Sequence, residues 1–397
     1  MQNIRYLHII RGFAAFFVLL AHAKWPFWIG GKAFLKQTSF WDLDLIDKIG
    51  FVFALISSNG TAMVVMFYVL SGFIISHSYA KNKWSYKQFI INRSLRIYIP
   101  YIASALIAGA LLFFSYQLAF PLFDAPVKDY HQRVATSYSE GLNFQNFIKT
   151  IFFVKEERVN YFGFNYVYWS LLYEMIFYLL FPLLLKYLKY IFFATALLFP
   201  LHIFYQPLPE INFWYLYLTE YLFYFLSGIY LYRLFISGKV NIYKGTILLN
   251  KHVLLTIITL CFCASQIIGF SQYKSISFLA STSMAIAWII YFLLYGAKNS
   301  FLTRVFMSLG KISYSLYLVH VPLLLLFYSL CFYFFSINSY PSPWLYLLLA
   351  LLVLPFAFGF YALFERLSFS LIENHKQRLR QRLFVEGNTP MKIHKEV

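Results

Sequence analysis

The chain has 397 residues, of which 61% are hydrophobic and 12% charged, with mean hydropathy +0.64 and a formal net charge of +18. A soluble domain carries about 25% charged residues, so this composition excludes one, and apolar runs of bilayer-spanning length recur from end to end. The basic balance therefore reads as membrane topology rather than nucleic-acid affinity, and three cysteines (Cys261, Cys263, Cys331), all in apolar runs, are too few for a disulfide framework or a zinc site.

Hydropathy predicts an all-α polytopic membrane protein of about ten transmembrane helices, near 7–23, 60–79, 97–118, 166–186, 189–206, 213–232, 253–270, 277–296, 312–335 and 344–364. The first has a short basic start but no clear small-residue cleavage site, so it is expected to be retained as a span. Residues 24–59 form an aromatic loop with room for a short interfacial helix, and residues 119–165 mix both charge signs, as a cap over one face does. With the N-terminus inside, Lys and Arg are in excess on the inner side at every short loop. Both termini are then expected to be cytoplasmic, in an inner (cytoplasmic) membrane. Residues 1–372 form the membrane domain and residues 373–397 a basic tail, which either binds anionic lipid or is simply solvated.

The first span holds Arg11 and His22. Eleven steps at about 100° make three turns plus roughly 20°, so both share one face about 16 Å apart along the axis. Ionisable groups are costly in a membrane and mark function by default. Arg93 and Arg96, three residues apart before the third predicted span, project from adjacent helix positions at the membrane boundary. Their guanidinium forks suit phosphate oxygens. Arginines at such a boundary also serve as topology anchors.

Glu174 in the fourth span needs a partner or a proton. His22 on another helix is an expected partner, since a carboxylate fixes an imidazole's tautomer and raises its basicity. A bond to a nearby Tyr or Trp is the alternative. His320 in the ninth span either lines the same cavity or packs against a hydroxyl. His202 and Glu220 stand without motif context, and no close His/Asp/Glu pair has metal-site spacing.

Five stretches in order make the chain resemble the acyltransferase 3 family of integral-membrane acyltransferases. They are Arg11-x10-His22; Phe67-Tyr68-Val69-Leu70-Ser71-Gly72-Phe73-Ile74-Ile75; Arg93 and Arg96 through Pro100; Trp169-Ser170-Leu171 leading to Glu174; and Tyr314-Ser315-Leu316-Tyr317-Leu318-Val319-His320. The likeness covers almost the whole chain. It departs at Asn92-Arg93, where the family often has paired arginines, and at Glu365-Arg366-Leu367, where it often has Glu-x-Pro.

The resemblance implies transfer of an acyl group, commonly acetyl from acetyl-CoA, to a hydroxyl of an envelope glycan or lipid-linked sugar such as lipopolysaccharide or capsule. Arg11, Arg93 and Arg96 are then expected to hold the CoA phosphates. His22 is expected as general base or transient acyl carrier, with Glu174 orienting it. Trp169, His320 and Ser71 are the expected substrate-binding residues. No metal is called for, and the partners are the sugar acceptor, membrane lipid and, where transfer is not direct, a separate extracytoplasmic transferase. The expected path is one tunnel shared by Arg11 and His22, with the thioester between them. The competing reading is a proton-coupled transporter or flippase, which intramembrane Arg, His and Glu also suit. Against it, the sequence has no internal repeat of hydropathy.

Overall fold

The computed structural model describes residues 2–28, 30–126, 128–156, 158–204, 220–242, 246–271, 274–336 and 344–385. These are predominantly helical, with no strand among them. The principal helices are α1 (Leu7–Phe27), α2 (Leu45–Ile56), α3 (Gly60–Asn82), α4 (Tyr86–Leu118), α5 (Asp129–Ser139), α6 (Trp169–Lys186) and α7 (Leu188–Phe204). They continue as α8 (Leu222–Ile236), α9 (Lys251–Ile268), α10 (Lys274–Tyr295), α11 (Phe301–Lys311), α12 (Ser313–Phe335), α13 (Leu345–Phe360) and α14 (Arg366–Val385). Among the described residues, eight helical stretches are long and apolar enough to cross a membrane, and Leu188–Pro200 and Leu222–Ile236 are shorter apolar helices. The start of the span expected at 213–232 and the end of the tail lie outside the described residues.

Helix α1 is the seam of the bundle. Leu7, Ile10, Ala14 and Val18 pack into one apolar cluster with α3, α6, α8 and α10, while Ala15, Leu19, Leu20, Ala23 and Phe27 pack into a second with α4, α12 and α13. A helix apolar on all sides belongs between other helices. Polar groups placed on such a helix must then face an internal space.

Helix α4 is longer than hydropathy suggests. Its 33 residues begin at a reciprocal cap between Ser85 and Gln88, eleven residues before the expected start. At about 1.5 Å per residue it spans roughly 50 Å, longer than a hydrocarbon core of about 30 Å. Arg93 and Arg96 lie within this helix, in its second and third turns. The short loop helix expected in 24–59 is α2, capped by Asp44, whose side chain accepts from the Asp47 amide at 2.7 Å.

The segment expected as a cap contains α5, tied down by His131, whose Nε2 bonds the Tyr328 hydroxyl of α12 at 2.8 Å. Burial, helped by nearby Lys128, pushes the His131 imidazole down to about 4, from an ordinary value near 6.5. Between those values a released cap binds the extra proton, so docking is at full strength above pH ~6.5 and is lost as pH falls through ~4. Amide exchange across 129–139 should accelerate over that window, and His131→Gln should remove the dependence.

Candidate active site

The three arginines of the sequence analysis meet in one cavity. Arg11 reaches it from α1, Arg93 and Arg96 from α4, Ser71 from α3, Glu174 and Tyr178 from α6, and Tyr314 and Tyr317 from α12. The cavity has a volume of about 100 Å³. Pro100 sits four residues after Arg96 in α4 and has no amide hydrogen to offer the Arg96 carbonyl.

None of the three guanidiniums makes an ion pair among the described residues. Arg93 is 6% exposed. Its guanidinium lies over the Phe89 and Tyr178 rings at 5.6 and 5.5 Å, and its Nε has no hydrogen-bond partner among the described residues. A buried charged N–H without an acceptor is costly. Arg11 and Arg96 line the same space, which makes it a cationic pocket suited to anionic groups.

The structure corrects the partner expected for His22. Glu174 accepts a hydrogen bond from Ser71 at 3.2 Å and another from the Tyr178 hydroxyl. It lines the arginine cavity, while its expected partner His22 does not. Glu174 lies one turn beyond Ser170 on α6, and both line the arginine cavity. A second carboxylate sits close by. The π-helical turn Tyr361–Glu365 buries Glu365, which accepts from Ser315 Oγ at 2.6 Å within electrostatic reach of Arg11 and Arg96.

His320 takes the position expected of Glu174. Its Nε2 lies 2.7 Å from His22 Nδ1, and its Nδ1 lies 3.0 and 2.9 Å from the Leu316 and Tyr317 carbonyl oxygens. Carbonyls only accept, so His320 Nδ1 carries hydrogen and its Nε2 is the acceptor. His22 Nδ1 then donates, which leaves His22 Nε2 with a bare lone pair. That nitrogen has no partner among the described residues. A neutral imidazole held in this tautomer is equipped to take a proton.

The wall beside His22 depends on the hydrogen bond that α12 lacks at Pro322. Proline has no amide hydrogen for the Leu318 carbonyl, and Asn165 Nδ2 donates to that oxygen at 2.7 Å. Asn165 thereby fixes the short turn Tyr166–Tyr168, and the Tyr166 ring stands edge-on to His22 with centroids 5.3 Å apart.

A hydroxyl layer separates the two centres. Tyr317 donates to the Val167 carbonyl, so Ser170 Oγ must donate to Tyr317, across 2.6 Å. Both line the arginine cavity, and the Tyr317 ring is 5.9 Å from His320. The single tunnel expected to be shared by Arg11 and His22 is not seen as one cavity: the lining includes Arg11, Ser170 and Tyr317 but not His22.

Of the other expected residues, Ser71 lines the cavity and Trp169 does not. Trp169 packs against Tyr173 and Tyr221 with centroids 5.8 Å away in each case. Sequence reasoning assigned no role to Tyr178, Tyr317, Ser170 or Tyr166. Spacing held the signal for the first two, since Tyr178 is four residues from Glu174 and Tyr317 three from His320.

The fold and site thus define an integral-membrane protein with a cationic cavity leading toward a paired imidazole. The model of a family described as "Acyltransferase domain" matches residues 4–362, nearly the whole chain. The chain belongs to the acyltransferase 3 family and is a membrane acyltransferase. No curated protein and no solved structure matches it.

Proposed function

We propose that this acyltransferase moves an acetyl group from cytoplasmic acetyl-CoA to a hydroxyl of an envelope glycan or lipid-linked sugar. It would do so in the inner membrane, with both termini cytoplasmic. The observation that carries this reading is the order of groups along the bundle. Three guanidiniums with no ion pair among the described residues line one cavity, and Tyr317 on its wall neighbours His320, the partner of an imidazole whose Nε2 has no partner among the described residues.

Arg11, Arg93 and Arg96 hold the phosphates by charge-assisted hydrogen bonds. Glu174 and Glu365 moderate their mutual repulsion. The Ser170–Tyr317 pair parts to admit the thioester. The acceptor hydroxyl attacks the thioester carbonyl while His22 Nε2 takes its proton. The carbon–sulfur bond breaks, and the proton passes from His22 to the departing thiolate. His320 is the positioning residue, since its Nε2 accepts from His22 Nδ1 throughout and stabilises the imidazolium.

The test is incubation of the purified protein, in lipid nanodiscs, with acetyl-labelled acetyl-CoA and a polysaccharide extract of the native envelope. Label in the glycan is expected. Substrate uptake into proteoliposomes without covalent label would favour transport instead. In the same assay Arg93→Ala should raise the apparent KM for acetyl-CoA by about 10–100-fold, the worth of one lost hydrogen bond to a charged group. An unchanged KM would remove Arg93 from phosphate binding.

A further inference from the structure

We infer that Trp25 and Tyr166 form the platform on which the acceptor sugar docks, an inference that rests on the acyl-transfer reading above. Trp25 lies three residues beyond His22 on α1, about 60° around the helix and roughly 4.5 Å along it. Trp25 is 40% exposed. Tyr166 joins the two groups, edge-on to His22 at 5.3 Å and to Trp25 at 5.2 Å, and Tyr130 of α5 flanks the indole at 4.9 Å. The aromatic wall therefore begins at the imidazole and runs away from the arginine cavity, toward the end of the bundle opposite the chain's N-terminus.

Two polar atoms on this wall lack a hydrogen-bond partner among the described residues: the Trp25 indole N–H and the Tyr166 hydroxyl. The Arg133 guanidinium lies 6.0 Å over the indole and is held by Asp129 at 2.8 Å, both exposed. Tryptophans at a membrane boundary also serve as lipid anchors. Trp25, however, packs against Tyr130 and Arg133 of α5. An exposed aromatic surface with unused N–H and O–H groups and a charged fork beside it matches a pyranose, which has apolar C–H faces and a rim of hydroxyls. It does not match an alkyl alcohol, which would leave the polar atoms unsatisfied. A ring stacked there brings a hydroxyl to His22 Nε2 from the side opposite the thioester.

The experiment uses the full chain in nanodiscs, acetyl-labelled acetyl-CoA and delipidated envelope polysaccharide as the probe, varying each in turn. Trp25→Ala is expected to raise the apparent KM for the glycan about tenfold, and Trp25→Phe to hold it within about threefold. The KM for acetyl-CoA should stay constant in both. Tyr166→Phe removes one hydroxyl with little change of shape and should raise the glycan KM severalfold, which keeps the inference testable if Trp25→Ala does not fold. Transfer by the unaltered protein with unchanged glycan KM in the variants, or an equal rise in the acetyl-CoA KM, overturns this inference alone. No label in glycan from the unaltered protein overturns the acyl-transfer reading and this inference with it.

Discussion

Replacing His22 with alanine is expected to lower acyl transfer by about 10²–10⁴-fold, the usual worth of a positioned general base. The thermal midpoint should barely move, because the half-buried ring makes one side-chain hydrogen bond, to His320. The KM for acetyl-CoA should also hold, since His22 does not line the arginine cavity. His320→Ala gives a smaller loss by a different route, leaving His22 Nδ1 without its acceptor and the ring free to turn. His320→Gln returns an acceptor oxygen and should recover part of the rate. Steady-state rates at varied acetyl-CoA and acceptor separate these cases. Full activity in His22→Ala would end the assignment of the base.

The second large effect is expected at Gly12, beside Arg11. A Cβ there would meet the Phe306 carbonyl oxygen of α11 at 2.0 Å and the Gly310 amide nitrogen at 2.8 Å. Both are backbone atoms that cannot swing aside, so α1 and α11 must part. Overpacking of this kind costs about 1–3 kcal/mol. Gly12→Ala should therefore lower the thermal midpoint in detergent, and by displacing the next residue it should also raise the KM for acetyl-CoA. A variant with an unchanged midpoint would mean that the two helices are not locked together at this crossing.

Much of this molecule was legible in the amino-acid order because lipid imposes a simple rule on backbone and side chains. Spans such as Leu7–Phe27 and Ser313–Phe335 announce themselves by unbroken apolarity. The shared cavity of Arg11, Arg93 and Arg96 was legible for the complementary reason, that cations so close to hydrocarbon need an internal space to face. The start of α4 was missed because Asn92, Arg93 and Arg96 lower local hydropathy, although the cap at Ser85 marks the true beginning. Helix α11 was missed because its short, mixed composition does not resemble a span.

The partner of His22 was beyond local reasoning. His320 is 298 residues away, and no spacing rule connects two helices so far apart in the chain. Glu174 was the natural choice on charge alone. Its actual environment depends on how far α6 has descended past Ser170, which only the packed bundle determines. The neighbours of both residues were within reach, since a tyrosine four residues from Glu174 and another three from His320 share their faces.

The hydroxyl contact between Ser170 and Tyr317 has a consequence for the cell as a whole. A membrane that stores an electrochemical gradient cannot tolerate a permanent aqueous bore with arginines at one mouth and an imidazole at the other, because protons would drain along it. In the acyl-transfer reading proposed above the hydrogen bond between these two side chains lies on that path, and it is the contact that would have to hold protons back between turnovers.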